Sequence, residues 1–138
     1  MDFQYKEDKE FFINFLANGD EELFNNKYAS MFDFRDPKEK RAEFNLIRNE
    51  VFNKLIEENG KNCQLKITPE CMKSGKFHVD HFIPLSSNEL NKKLRHMKRM
   101  FPRKVSPQSF GSNNYSNFRL ACEECNSFKK HRFIKETN

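Results

Sequence analysis

Asp80 closes Phe77-His78-Val79-Asp80, a segment that alternates like a short strand, and His81 follows it directly, with Pro84 ending the strand soon afterwards. A carboxylate beside an imidazole suits phosphodiester hydrolysis. That reaction needs an activated water, neutralisation of charge on the pentacoordinate phosphorus, and help for the departing oxygen. A neutral imidazole near pH 7 suits the first task, which makes His81 the candidate general base. A hard divalent ion, Mg²⁺ or Mn²⁺, suits the other two, and it takes few protein oxygens so that waters and phosphate oxygens can complete its shell. Asp80 is the anionic candidate ligand, and Asn126 offers an amide oxygen from the start of a following helix. On that helix Lys129 and Lys130 share the face of Asn126, so either could meet a phosphate. His131 is five positions on and points away, which favours Asn126 over it as the metal ligand. His78 either orients the site, touches phosphate or is an exposed strand residue. Neighbours on a regular strand face opposite sides, so for Asp80 and His81 to act on one phosphate the strand must break there. Taken alone, the pair could equally be an ordinary polar strand end.

The four cysteines suggest a metal rather than disulfides in a chain whose opening residues lack the apolar core and cleavage site of a signal peptide. Cys122-Glu123-Glu124-Cys125 has the two-residue gap of a zinc knuckle, in which one tight turn aims both thiolates at a tetrahedral ion. Cys63 and Cys71 could supply the other two ligands, although their seven-residue gap is longer than a standard knuckle. The alternative is that some of the four are small buried hydrophobes. Four thiolates would close the shell around Zn²⁺ and make it structural, so the chemistry must lie elsewhere.

Together these segments resemble the HNH endonucleases. The match is carried by His78-Val79-Asp80-His81-Phe82-Ile83-Pro84-Leu85-Ser86, then by Ser116-Asn117-Phe118-Arg119-Leu120-Ala121-Cys122-Glu123-Glu124-Cys125-Asn126 and Lys129. The resemblance, which covers about Cys63 to Arg132, implies a ββα-metal nuclease core with a zinc-binding cysteine frame around the active site; with the N-terminal helical region read from pattern, the expected class is α+β. It also implies that Asn117 ties down the loop orienting His81, and that cleavage leaves 5′-phosphate and 3′-hydroxyl ends. The module serves restriction, homing, phage DNA processing and defence, so the expected setting is the cytoplasm of a bacterium or a phage-encoded protein.

Elements to position these residues can be read from pattern. Asp36-Pro37-Lys38-Glu39 is a helix start, Phe44, Ile47, Val51 and Leu55 recur at three- and four-residue steps with Leu46, Phe52 and Ile56 widening the stripe, and Gly60 is a stop. The spacing predicts a helix over 37–59, preceded by shorter helices over 5–16 and 20–31. A second strand is expected over 117–121 and a helix over 123–135. Within the polar stretch 86–115, Leu90, Leu94 and Met97, with Met100 or Phe101, fit an amphipathic helix over 88–101.

Charge divides the chain. Residues 1–60 hold nine Lys+Arg against fourteen Asp+Glu, and residues 61–138 hold sixteen against six, so the overall +5 is −5 plus +10. The division suggests a helical region 1–60, serving as scaffold, dimer surface or target-recognition element and turned away from nucleic acid. Residues 61–138 then form the nuclease domain, with 86–115 as a basic insertion. Lys92, Lys93, Arg95, Lys98, Arg99, Arg103 and Lys104 of that insertion, with Arg119, are expected against a DNA backbone, RNA remaining open. With 36% hydrophobic residues and a mean hydropathy of −0.93, no stretch reaches the ~18 apolar residues of a membrane span. A single site would cut one strand at a time, so a homodimer is one route to double-strand cleavage. The rival reading is an inactive zinc-stabilised nucleic-acid-binding module. A zinc hydrolase of small molecules is disfavoured by the all-cysteine ligand set.

Overall fold

The computed structural model describes residues 2–97, 108–130 and 132–134. The chain begins with α1 (Lys6–Ala17), which ends where Asn18 takes a left-handed conformation. Asp20 then caps a short α2 (Glu21–Leu23) by accepting from the Leu23 N–H at 3.0 Å. The sequence predicts one helix to Met31; the chain instead passes through a wide π turn (Phe24–Tyr28) and a tight 3₁₀ turn (Ala29–Met31).

The long helix α3 spans Pro37–Asn59, as its punctuation predicts. Asp36 Oδ1 accepts from the Lys38 N–H at 2.8 Å, Pro37 occupies the first turn, and Gly60 turns the chain at φ +66°. Phe44, Val51 and Leu55 are buried, but Leu46 is 87% exposed and does not widen the stripe.

Strands β1 (Phe77–His81) and β2 (Phe118–Cys122) pair antiparallel, with Phe77 opposite Cys122 and His81 opposite Phe118. The second strand begins one residue later than its sequence suggests, because Asn117 closes a 3₁₀ turn, Tyr115–Asn117. Between the strands lies α4 (Asn88–Met97), and after β2 comes α5 (Glu123–Lys129). Helix α5 is shorter than expected: Lys130 leaves it at φ 51°. The expected continuation of α4 to Phe101, the expected end of α5 near Lys135, and residues Lys98, Arg99, Arg103, Lys104 and His131 lie outside the described residues. Helices with a small antiparallel sheet make this an α+β protein.

Three buried clusters hold the elements together. In the first, Phe12, Ile13 and Phe24 from the acidic half pack with Ile83, Leu90, Leu94 and Phe110 from the basic half. In the second, Phe44, Val51 and Leu55 of α3 cover Phe118 and Leu120 of β2. The third gathers Cys63, Leu65, Ala121, Cys122 and Cys125. The change of charge near Gly60 therefore divides composition but not packing. Among the described residues, no helix is long and apolar enough to cross a membrane.

Candidate functional site

Strand β1 sends Asp80 and His81 to opposite sides, as its period of two requires. No break separates them, since both remain paired to β2 and the chain bends only after His81. The two residues nonetheless border one open cleft of about 460 Å³ at the strand's end, together with Asn126 of α5 and with Arg41, Phe44 and Arg48 of α3.

On one side Asp80 is 4% exposed and sits beneath α5. Lys129 Nζ donates to Asp80 Oδ1 at 3.1 Å and to the His81 carbonyl at 2.9 Å. Lys129 was expected to meet a phosphate, but its ammonium is fully buried and fixes the Asp80 carboxylate and the strand end instead. Asn126, one turn earlier on the same helix, is half-buried at the cleft.

On the other side the His81 ring lies edge-on to Phe44 and Phe118, with centroids at 4.6 and 5.1 Å. Its Nε2 is 2.9 Å from Asn113 Oδ1. Asn113 Nδ2 donates to the Lys40 carbonyl at 2.7 Å, which fixes the amide's orientation, because that carbonyl can only accept. Oδ1 then faces His81, so Nε2 carries the proton and Nδ1 keeps the lone pair. Burial is the main reason that the imidazole's pKa falls to about 4; the positive charges of Lys129, Lys40 and Arg48 act in the same direction and the Asn113 hydrogen bond opposes them. The ring is neutral at pH 7.

The loop after β1 is clamped from three sides. Asn117, fully buried, accepts from the Ile83 N–H at 2.8 Å and donates to the carbonyls of Ile83 and Ser112 at 3.0 and 2.9 Å. Gly111 donates its N–H to the Pro84 carbonyl, and a Cβ there would lie 2.0 Å from the Ile83 carbonyl oxygen, so only glycine fits. Lys40, also fully buried, reaches from α3 to donate to the carbonyls of Asp33 and Gly111 at 2.5 and 2.6 Å.

The other expected contact residues are scattered. Lys92 and Lys93 are exposed on α4, Lys92 lying 3.6 Å from Glu89. Arg95 points the other way from the expectation: it is buried, 2.5 Å from Asp8 of α1, with its guanidinium 4.4 Å from the Tyr5 ring centroid. It joins the two halves of the chain and faces no solvent. Arg119 donates to the carbonyls of Ser116 and Phe118 and lies over Phe82. His78 is exposed and borders a second cavity of about 330 Å³, which shares Phe44, Arg48, Val79 and Asn126 with the first. Lys130 is exposed at the cleft.

The sulfur atoms of Cys63, Cys71, Cys122 and Cys125 all lie within 4.8 Å of one another, and those of Cys71 and Cys122 are 3.8 Å apart. A tetrahedron with metal–sulfur bonds of ~2.3 Å has edges of about 3.8 Å, so the four thiols fit one ion such as zinc. Backbone N–H groups of Lys66, Met72 and Cys125 point at the sulfurs of Cys63, Cys122 and Cys122 respectively, an arrangement that favours thiolates. Burial pushes the thiols of Cys71 and Cys122 up; at Cys125 burial acts the same way but is outweighed by the Thr68 hydroxyl and the backbone of Ile67 and Thr68, bringing it to about 7. For a hard divalent ion, Asp80 and Asn126 provide an all-oxygen donor set on one cleft, with Lys129 already holding one carboxylate oxygen.

Asn113, Lys40, Arg41 and Arg48 are absent from the sequence reading. Asn113 sits in a polar run, Ser112-Asn113-Asn114, with nothing local to single it out. The arginines could have been found from helical period, because positions 41, 44 and 48 share a face of α3, but the net acidity of that half concealed them. Comparison with family models, curated proteins and solved structures returns no match for the chain.

Proposed function

We propose that the protein is a metal-dependent endonuclease of the HNH type that hydrolyses phosphodiester bonds in DNA. The observation that carries this reading is the convergence of Asp80, His81 and Asn126 on a single cleft. His81, held by Asn113 with its Nδ1 lone pair available, takes the proton of the attacking water. Asp80 and Asn126 would hold Mg²⁺ or Mn²⁺, which when bound supplies charge neutralisation at phosphorus and at the departing oxygen. Lys129 orients Asp80 and offsets its burial, and Asn117 holds the loop behind His81. The cysteine frame would carry structural zinc, and the exposed Lys92, Lys93 and Lys130 add non-specific attraction to the backbone. Resemblance to the family supports 5′-phosphate and 3′-hydroxyl products, a ββα-metal core, and a homodimer for double-strand cleavage.

The buried Lys129–Asp80 pair favours a second reading, a zinc-stabilised nucleic-acid-binding module without activity, because an ammonium already compensates the only carboxylate at the cleft among the described residues. Supercoiled plasmid incubated with Mg²⁺ and wild type or His81→Ala separates the two. The endonuclease nicks or linearises plasmid and His81→Ala loses at least ~100-fold in rate. Equal cleavage by both proteins sinks the role of His81, and binding of DNA without cleavage in either metal supports the module.

A further inference from the structure

We infer that α3, in the acidic half of the chain, is part of the nucleic-acid surface, with Arg41 and Arg48 gripping backbone phosphates of the strand that lies across the cleft. The choice of ligand rests on the endonuclease reading; the binding surface itself rests on the geometry of α3. Arg41 and Arg48 are seven residues apart, two helical turns and about 10.5 Å along the axis, and both border the cleft that holds Asp80, His81 and Asn126.

Four observations support the assignment. First, the face is free of carboxylates. The residues three and four positions from either arginine are Pro37, Lys38, Phe44, Asn45, Val51 and Phe52, so the helix's own glutamates stand on other faces. Second, the remaining described arginines are committed within the protein. Arg35 bridges Asp33 and Glu43, Arg95 is buried on Asp8, and Arg119 and Arg132 donate to backbone carbonyls. Among the described residues Arg41 makes no ion pair or hydrogen bond, and Arg48 makes no ion pair and donates one hydrogen bond, to the exposed Asn45 amide oxygen at 2.8 Å. Third, Arg48 is held in place by stacking: its guanidinium lies 5.2 Å from the centroid of Phe44, the ring that also packs on His81. A planar fork fixed at that position suits two-point contact with a phosphate, which a lysine cannot reproduce. Fourth, Lys130 borders the same cleft, and among the described residues the only carboxylate lining it is Asp80, already paired with Lys129, so the described lining carries net positive charge.

Binding of a fluorescently labelled 25-bp duplex, measured by anisotropy with the full zinc-loaded chain and no added Mg²⁺ over a range of NaCl, tests this. The variants are Arg41→Gln, Arg48→Gln, the double Gln variant, the double Lys variant, and Lys61→Gln as an exposed control away from the cleft. Each arginine lost should lower the slope of log K against log salt by about 0.9 and weaken binding roughly 3- to 10-fold at moderate salt. The double Lys variant should restore the slope while leaving part of the affinity loss, and Lys61→Gln should match wild type. Competition with inorganic phosphate should displace duplex only at concentrations far above those of unlabelled DNA; equal competition would assign the arginines to a free anion instead. If the double Gln variant keeps wild-type affinity and slope, the inference is overturned, whatever the plasmid assay shows. If wild type binds duplex through these arginines but never cleaves, the endonuclease reading fails and the surface stands. If wild type does not bind duplex at all, both fall.

Discussion

Asn113 Oδ1 and His81 Nε2 lie 2.9 Å apart, although thirty-two positions separate them in the chain. The contact sets which ring nitrogen can take a proton, and the Lys40 carbonyl sets which way the amide faces. Asn113→Ala should therefore reduce the cleavage rate by about tenfold to a hundredfold, part of the 10²–10⁴ that a positioned base contributes, with KM little changed. A rate within twofold of wild type in single-turnover cleavage would show that Phe44 and Phe118 orient the ring unaided.

Metal analysis of protein purified without chelator should find about one zinc per chain. Cys125→Ser, or removal of the ion by a strong chelator, should lower the melting temperature by at least ~10 °C in a calorimetric scan, since ligand binding to the folded form is folding free energy. Unchanged melting after verified zinc removal would make the four cysteines ordinary core.

Arg95 and Asp8 form a buried pair, with side chains 5% and 0% exposed. Arg95→Met alone takes away the guanidinium facing a buried carboxylate and should cost about 3–5 kcal/mol in urea unfolding. Asp8→Leu combined with Arg95→Met should recover most of that loss. Strictly additive losses in the double variant would refute coupling between the two sites.

Lys40 gives a pH signature. Burial brings its ammonium from 10.5 down to about 8. Between those values the unfolded chain binds more protons than the folded one, so stability rises with pH across that window and levels off above it. A neutral amine still donates to the carbonyls of Asp33 and Gly111, so the contacts survive deprotonation. Relative to Lys40→Met, wild type should gain up to about 3 kcal/mol between pH 8 and 10.5 in denaturant titrations. A constant difference between the two proteins over that range would contradict a depressed Lys40.

Features carried by short-range signals were legible in the sequence. The cap at Asp36, the proline at 37 and the apolar steps from Phe44 to Leu55 fix α3 without help from the rest of the chain. The Cys122–Cys125 turn is likewise local, whereas grouping it with Cys63 and Cys71 required strand pairing and the Gln64 N–H bond to the Leu120 carbonyl at 2.7 Å. Two cations that face inward were not legible as buried. Lys129 and Arg95 look like surface cations in sequence, and only Asp80 and Asp8, 49 and 87 positions away, turn them into buried ones. Charge summed over the first sixty residues also hides the two arginines that line the cleft, because Arg41 and Arg48 are outnumbered by glutamates that occupy other faces of the same helix.

Pairing β1 with β2 across residues 82–117 has a consequence for how the two strands find their alignment. A hairpin ordinarily takes its register from a turn of a few residues, and a slip of one position would exchange the faces of every side chain. Here the connection is as large as a subdomain and cannot dictate alignment by itself. That task passes to the two ends of the ladder: Asn117 locks the loop at His81, and the cysteine turn at Cys122 meets Cys63 and Cys71 beyond Phe77. With both ends pinned, the strand that presents Asp80 and His81 stays in step with its partner despite the length of the connection between them.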